Sequence, residues 1–234
     1  MVNTKYYFLG LKSLIGVRSP ALPLACSFLA LGALLREAGF NFEQSVFSSF
    51  LTYALPGQLV MAESYLIGAT LINIFLAVWL VNARLYPMTV SMFPLLNHPE
   101  QPKWKYYLSC HFLAVSSWLL MKENYQSIEE KYRIDFWMGI GTGTWGTAIL
   151  FTAVGYFLDQ YLSVDMLIGL SIVNPVYFFC MMIGAMTNLG IKLAVILGCL
   201  LGPIFYLINP EWSILFGGVL GGSLAFYFGG KYGT

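Results

Sequence analysis

The sequence predicts an all-α integral membrane protein, with seven to eight hydrophobic segments in two pseudo-symmetric halves and paired broken helices. Three observations carry this. Of 234 residues, 58% are hydrophobic and 10% are charged, and the mean hydropathy is +0.71. A soluble domain carries roughly 25% charged residues, which it needs to cover a water-facing surface. At ~20 residues per crossing the length accommodates these spans with short loops and leaves no room for a soluble domain. Finally, two apolar segments are interrupted at matching places. Phe47–Ser64 is broken at Leu55-Pro56-Gly57-Gln58, and Met166–Gly184 at Val173-Asn174-Pro175.

Taken in order, the segments are Ala21–Ala38, Phe42–Tyr65, Ile67–Leu96, Trp104–Met121, Phe136–Leu158, Val164–Thr187, Leu189–Ile208 and Trp212–Gly229. Residues 1–234 read as one transmembrane domain whose half-repeats cover about 20–121 and 136–229. The joint, Lys122–Asp135, is the most polar stretch and reads as a solvent-facing loop. Ahead of the first segment, Tyr6–Ile15 is either an interfacial stretch or an irregular lead-in, and no cleavage site marks a signal peptide. Glycines recur where backbones are expected to touch in lipid: Gly139, Gly141, Gly143 and Gly146, then Gly217, Gly218, Gly221 and Gly222.

Orientation has two readings. If every segment spans, Lys5, Lys12, Arg18, Lys122, Lys131, Arg133 and Lys231 share one side. The positive-inside rule makes that side cytoplasmic, although Lys103 and Lys105 then fall outside. If the broken segments are re-entrant, the halves are inverted, as alternating access commonly requires.

Several function classes are excluded or weakened. The net charge of +1 gives no field for nucleic acid. Cys26, Cys110, Cys180 and Cys199 lack CxxC spacing, and His98 and His111 stand apart from carboxylate clusters. No disulfide framework, metal site or cofactor is therefore indicated. No HExxH or GxSxG supports an enzyme, and Gly139-Ile140-Gly141-Thr142-Gly143 lacks the strand that a nucleotide-binding turn follows.

Proline in mid-helix removes a donor and clashes with the preceding turn. In lipid, the freed groups must be satisfied by protein or by cavity water. A matched pair of breaks therefore points to a transport site framed by Pro56, Gly57, Gln58, Asn174 and Pro175. Half-helix N-termini suit a carboxylate and half-helix C-termini an ammonium, so a zwitterion fits both. Intramembrane charge is costly and commonly functional. Glu63, Asn82 and Arg84 form the candidate polar cluster, in which Arg84 either pairs with Glu63 or meets substrate. Arg36, Glu37, Glu43, Asp159, Asp165 and Lys192 lie near segment ends and read as interfacial.

These residues resemble the AzlC family, the large subunit of bacterial branched-chain amino acid exporters, from about Pro20 to Leu207. The resemblance rests on Pro20 and Pro23 in a helix closing at Ala38-Gly39, on Ala54-Leu55-Pro56-Gly57-Gln58, and on Val81-Asn82-Ala83-Arg84. Many members follow Asn-x-Arg with a histidine and Tyr-Gly, where this chain has Leu85-Tyr86-Pro87-Met88. Many carry an acidic pair in the fourth helix, where this chain reads His111 to Trp118, leaving His111 as the titratable substitute.

The resemblance implies a multi-pass protein of the bacterial inner membrane. It further implies proton-driven export of a neutral, branched-chain amino acid and a small AzlD-type membrane subunit as partner. The glycine-rich face of Trp212–Gly229 is a candidate docking surface for that subunit. A passive channel for small polar solutes is the alternative, since paired half-helices also describe pores.

Overall fold

The computed structural model describes residues 2–16, 19–184, 186, 189–208 and 213–232. Among these the chain is helical throughout, without a strand, and it divides into two compact units, Met1–Asn174 and Pro175–Thr234. By length and composition, α11 (Leu189–Ile208) can cross a membrane. The bent pair α5 (Leu71–Asn82) and α6 (Leu85–Leu96) can do so if it counts as one span.

The first unit is built around α9 (Arg133–Leu158), a 26-residue helix about 39 Å long at 1.5 Å per residue. Helices α1 (Thr4–Lys12) and α2 (Ala21–Glu37) pack along it. Small residues set those distances. A Cβ on Gly10 would collide with the Phe136 carbonyl, and one on Gly139 with the Tyr7 carbonyl. Farther along α9, Gly32 faces the Thr152 carbonyl and Gly155 the Leu29 carbonyl. Tyr6–Ile15 is thus largely a packed helix rather than an irregular lead-in, with the Tyr7 hydroxyl 2.8 Å from Thr142 Oγ1. Gly143 faces Leu11 and Leu14, Gly141 faces Phe112, and Gly146 faces open space.

Two hairpins of half-helices enter from opposite ends of α9. Helix α3 (Phe42–Thr52) starts with a capping box in which Asn41 Oδ1 accepts from Gln44 N at 2.8 Å. It runs from Tyr156 and Phe157, which contact Phe42, to Trp145, whose Nε1 donates to the Phe50 carbonyl at 3.0 Å. The chain turns at Tyr53, and α4 (Leu55–Leu66) returns to the same end, where Tyr65 packs on Phe40. From the other end, α7 (Lys103–Cys110) starts beside Asp135 and runs parallel to α9 through Ser109, whose carbonyl accepts from Trp137 Nε1. It breaks at residues 111–114, and α8 (Val115–Asn124) turns back until the Tyr125 carbonyl meets Arg133. The middle of α9, at Thr144 and Trp145, is where both turns lie.

The end of α9 at Asp135 holds the deepest charges in the described residues. Lys105 Nζ lies 2.6 Å from Asp135 Oδ1, with side-chain exposures of 0% and 1%. Gln101 Oε1 accepts from the same ammonium, and Asp135 Oδ2 accepts from Asn3 N. Above them opens a cleft of about 610 Å³ that Glu100, Lys131 and Tyr132 help to line. The Lys131 ammonium holds the Glu100 carboxyl below the usual carboxylate range, and Glu100 in turn raises Lys131.

Helix α10 (Val164–Gly184) contains Pro175 without ending at it, which corrects the expectation of paired broken helices. Proline costs one hydrogen bond, but the chain can continue helically beyond it when neighbours re-satisfy the freed carbonyl. The halves 20–121 and 136–229 also differ in build. Three of four segments in the first are broken, whereas α9 to α12 (Ser213–Tyr232) are continuous over the described residues. The inverted pair is therefore α3–α4 against α7–α8, both within the first half.

In the second unit, α11 and α12 pack antiparallel through glycines. Gly190 faces Gly229, Gly198 faces Gly221, and Gly202 faces Gly217. Gly218 and Gly222 have nothing near them. The expected approach at Gly217 and Gly221 is present, so that part of the candidate docking face is covered by α11.

Candidate functional site

The α3–α4 turn is held by an unusual backbone. Tyr53 closes α3 at φ 34°, ψ 44°, a left-handed conformation that costs a non-glycine residue energy. Its surroundings pin it there. The ring stacks on Phe28 with centroids 6.3 Å apart, and the hydroxyl lies 3.4 Å from Ser116 Oγ in the first turn of α8. The side chain of Thr144 on α9 lies beside that hydroxyl. One side chain thus joins the tips of both hairpins to the middle of the central helix.

Helix α4 then begins with Leu55-Pro56-Gly57-Gln58, and no side chain caps it. Proline fits a first turn, where N–H groups have no intrahelical partner in any case. The break therefore lies at Tyr53-Ala54, just before the proline, and Pro56, Gly57 and Gln58 form the start of the returning half-helix. Helix α8 likewise begins without a cap from its N-cap residue, Ala114. Two half-helix N-termini with partial positive charge therefore both lie toward the middle of α9, linked through Tyr53, an arrangement suited to an anionic group.

The other polar groups gather around α4. Gln58 is 2% exposed, and its Nε2 lies 3.1 Å from Ser48 Oγ and 3.0 Å from Ser49 Oγ. Ser49 Oγ in turn lies 2.7 Å from Thr152 Oγ1 on α9. Asn82, the last residue of α5, lies flat against Gly57: a Cβ there would be 2.5 Å from Asn82 Nδ2 and 3.0 Å from Oδ1. Gln58 Oε1 and Asn82 Oδ1 are both buried and accept no hydrogen bond. Buried polar atoms are satisfied in more than nine cases in ten, so two orphans around one helix turn mark the place.

The structure brings together Pro56, Gly57, Gln58 and Asn82 from the sequence-predicted set. Arg84 caps α6 at the α5–α6 bend of 40°, two residues from Asn82, and makes no ion pair among the described residues. Glu63 is exposed on α4, and the Glu63–Arg84 pair is not formed. His111 sits at the α7–α8 break, edge-on to Trp145 at 5.7 Å. Asn174 and Pro175 are helical within α10, and the side chain of Asn174 lies outside the described residues. Among the described residues no cluster of His, Cys, Asp or Glu has the make-up of a metal site.

Sequence reasoning missed Tyr53, Ser48, Ser49, Thr144 and Thr152, and it missed the Lys105–Asp135 pair. The run Ser45-Val46-Phe47-Ser48-Ser49 was visible as polar residues within an apolar segment and carried the only usable signal. Lys105 and Asp135 were each visible, but Lys105 read as a positive charge on the outer side and Asp135 as the end of the polar joint.

Gly57→Ala tests the contact with Asn82. The added methyl displaces a short side chain rather than backbone, and alanine favours the helix by about 0.8–1.0 kcal/mol. Folding, followed by elution profile and melting temperature, is expected to stay at the wild-type level. Solute transport is expected to fall on the order of tenfold or more, as displacements near 1 Å do at preorganised sites. A variant transporting at the wild-type rate would remove Asn82 from the site.

The sequence pattern of the family described as "AzlC protein" matches residues 20–162, which include both hairpins, the α5–α6 bend and all of α9. Comparison with curated proteins and with solved structures finds no match. With more than half of its length matched, and with the proline break and the Asn82–Arg84 motif inside that match, the chain belongs to the AzlC family, a family of membrane transporters associated with branched-chain amino acids.

Proposed function

We propose that the chain is the transporting subunit of a secondary transporter that exports a neutral, branched-chain amino acid across the bacterial inner membrane, driven by protons. The observation that carries the reading is the pair of opposed half-helix hairpins joined through Tyr53, with the unsatisfied amide oxygens of Gln58 and Asn82 beside them. The carboxylate of the substrate is assigned to the free first-turn N–H groups of α4 and α8. Its amino group is assigned to the amide oxygens. Proton coupling is assigned to His111, at the α7–α8 break, rather than to Glu63, and Arg84, at the α5–α6 bend, supplies a fixed positive charge. Asn174 and Pro175 remain proposed lining residues, and a small AzlD-type subunit remains the proposed partner.

The geometry also favours one orientation. Because α3–α4 returns to its own end, the α6–α7 loop lies beside the N-terminus, as the Lys105–Asp135 and Asn3–Asp135 contacts require. Lys5, Lys103, Lys105, Lys131 and Arg133 then share one end, while Arg36 pairs with Asp159 at the other. By the positive-inside rule the Asp135 end is cytoplasmic.

Counterflow of labelled leucine into proteoliposomes tests the function, with and without the small subunit and a pH gradient. Saturable counterflow is expected, abolished by Gln58→Ala and by Arg84→Ala in protein that stays folded. Normal transport by both variants would reject the site. A pore is the second reading, since two half-helix N-termini toward the middle of α9 serve a channel equally well; flux without saturation or counterflow would select it.

A further inference from the structure

Two hydroxyl bonds to backbone carbonyls, from Thr152 and from Ser48, assign the directions of the hydrogen bonds around Gln58. Thr152 Oγ1 donates its single proton to the Ala148 carbonyl at 2.8 Å, so toward Ser49, 2.7 Å away, it accepts. The Ser49 proton is thereby committed to Thr152, and toward Gln58, at 3.0 Å, Ser49 can only accept. Ser48 Oγ donates to the Ser45 carbonyl at 2.8 Å, and it too can only accept from Gln58, at 3.1 Å. Both contacts therefore require the NH2 group of the amide. With the hydroxyl protons on those backbone carbonyls, the flipped amide would set its oxygen against two acceptors, and the network assigns the NH2 group to this side. The carbonyl Oε1 faces away from these hydroxyls, buried and without a donor.

We infer that Ser48, Ser49 and Thr152 are positioning residues that turn Gln58 into a dedicated acceptor, so that the site takes the ammonium end of its substrate at Gln58 Oε1. The inference rests on the transport reading above and adds to it the polarity of the site. A buried acceptor with no protein donor is unfavourable until a ligand N–H pairs it. Thr152 achieves this from α9 without standing next to the orphan atom. Its hydroxyl fixes Ser49, and Ser49 fixes the amide. Replacing that hydroxyl by a methyl frees the Ser49 proton, which can then be donated to Gln58, so one of the two acceptors that hold the amide is lost and Ser48 alone holds it.

The test is equilibrium binding to the purified full chain, with leucine, leucinamide, 4-methyl-2-oxopentanoate and sodium chloride as separate probes. Leucinamide keeps the ammonium and lacks the carboxylate. The oxo acid keeps the carboxylate and has an acceptor where the ammonium would be. Wild-type protein is expected to prefer leucine over the oxo acid by about a hundredfold or more, as sites built around a substrate N–H do. Thr152→Val is expected to shrink that preference by about tenfold with little change in melting temperature, and Thr152→Ser is expected to restore it. Restoration by serine separates positioning from packing, because serine keeps the hydroxyl and loses the methyl.

Leucine binding with an unchanged preference in Thr152→Val would overturn the polarity and leave the transport reading intact. Binding of leucinamide without binding or counterflow of leucine would support the polarity and reject amino acid transport. Response to sodium alone, or to none of the probes, would overturn the inference.

Discussion

Lys105→Ala is expected to destabilise the protein by about 3–5 kcal/mol, the range seen when one member of a buried ion pair is removed. The pair has no access to water, at 0% and 1% exposure, and Asp135 would be left among Ile134, Phe136 and Trp137, all buried. The Asn3 amide would still donate to it, but one neutral hydrogen bond does not compensate a buried carboxylate. Asp135→Ala removes the carboxylate from a fully buried ammonium, which keeps its bond to Gln101 Oε1. Replacing both members by apolar residues of similar volume, Lys105→Met with Asp135→Leu, is expected to recover most of the loss, because desolvation and attraction nearly cancel in such pairs. Thermal unfolding in detergent measures all four proteins. A loss below about 1 kcal/mol in both single variants would mean that water reaches the pair and screens it.

The second large effect is expected at the crossing of α2 and α9. Gly155→Leu places a side chain against the Leu29 backbone, and Gly32→Leu places one against the backbone of Thr152 and Tyr156. In both cases the obstacle is main chain, so no rotamer change relieves it and the helices must separate. Overpacking commonly costs about 1–3 kcal/mol, and a contact of backbone on backbone belongs at or above the top of that range. Gly146→Leu on the same helix is the control, because nothing lies within 4 Å of its Cβ position. The expected result is little folded protein for the first two variants and a wild-type yield for the control, read by monodispersity after extraction. Equal yields for all three would place the α2–α9 contact outside what holds the first unit together.

Much of this protein was legible in its sequence because the relevant forces are local. Hydropathy and the shortage of charge marked an all-helical chain, of which α11 alone is a continuous helix of membrane-spanning length and composition among the described residues. Pro56 and Gly57 marked the first interruption, since proline and glycine alter the backbone wherever they stand. Val81-Asn82-Ala83-Arg84 carried the family, and both of its polar residues lie at or beside the α5–α6 bend. Where the same local rule was applied to Asn174-Pro175 it failed. Proline makes a break possible without imposing one, and α10 runs through it as α6 runs through Pro94 and α11 through Pro203.

What the sequence by itself determined, then, was composition, helical class, family and the position of one half-helix. The tertiary structure alone decided that α3–α4 and α7–α8 are opposed hairpins. The α7–α8 turn contains neither proline nor glycine; it exists because Phe112 fills the space beside Gly141 and Ser116 reaches Tyr53. It alone decided that Lys105 and Asp135 form a pair, thirty residues apart and each unremarkable by itself. It also decided the polarity of Gln58, through a hydrogen-bond chain ending on α9 at Thr152. A side chain's partners in a packed helical bundle are set by which faces of distant helices meet, and no local propensity encodes that.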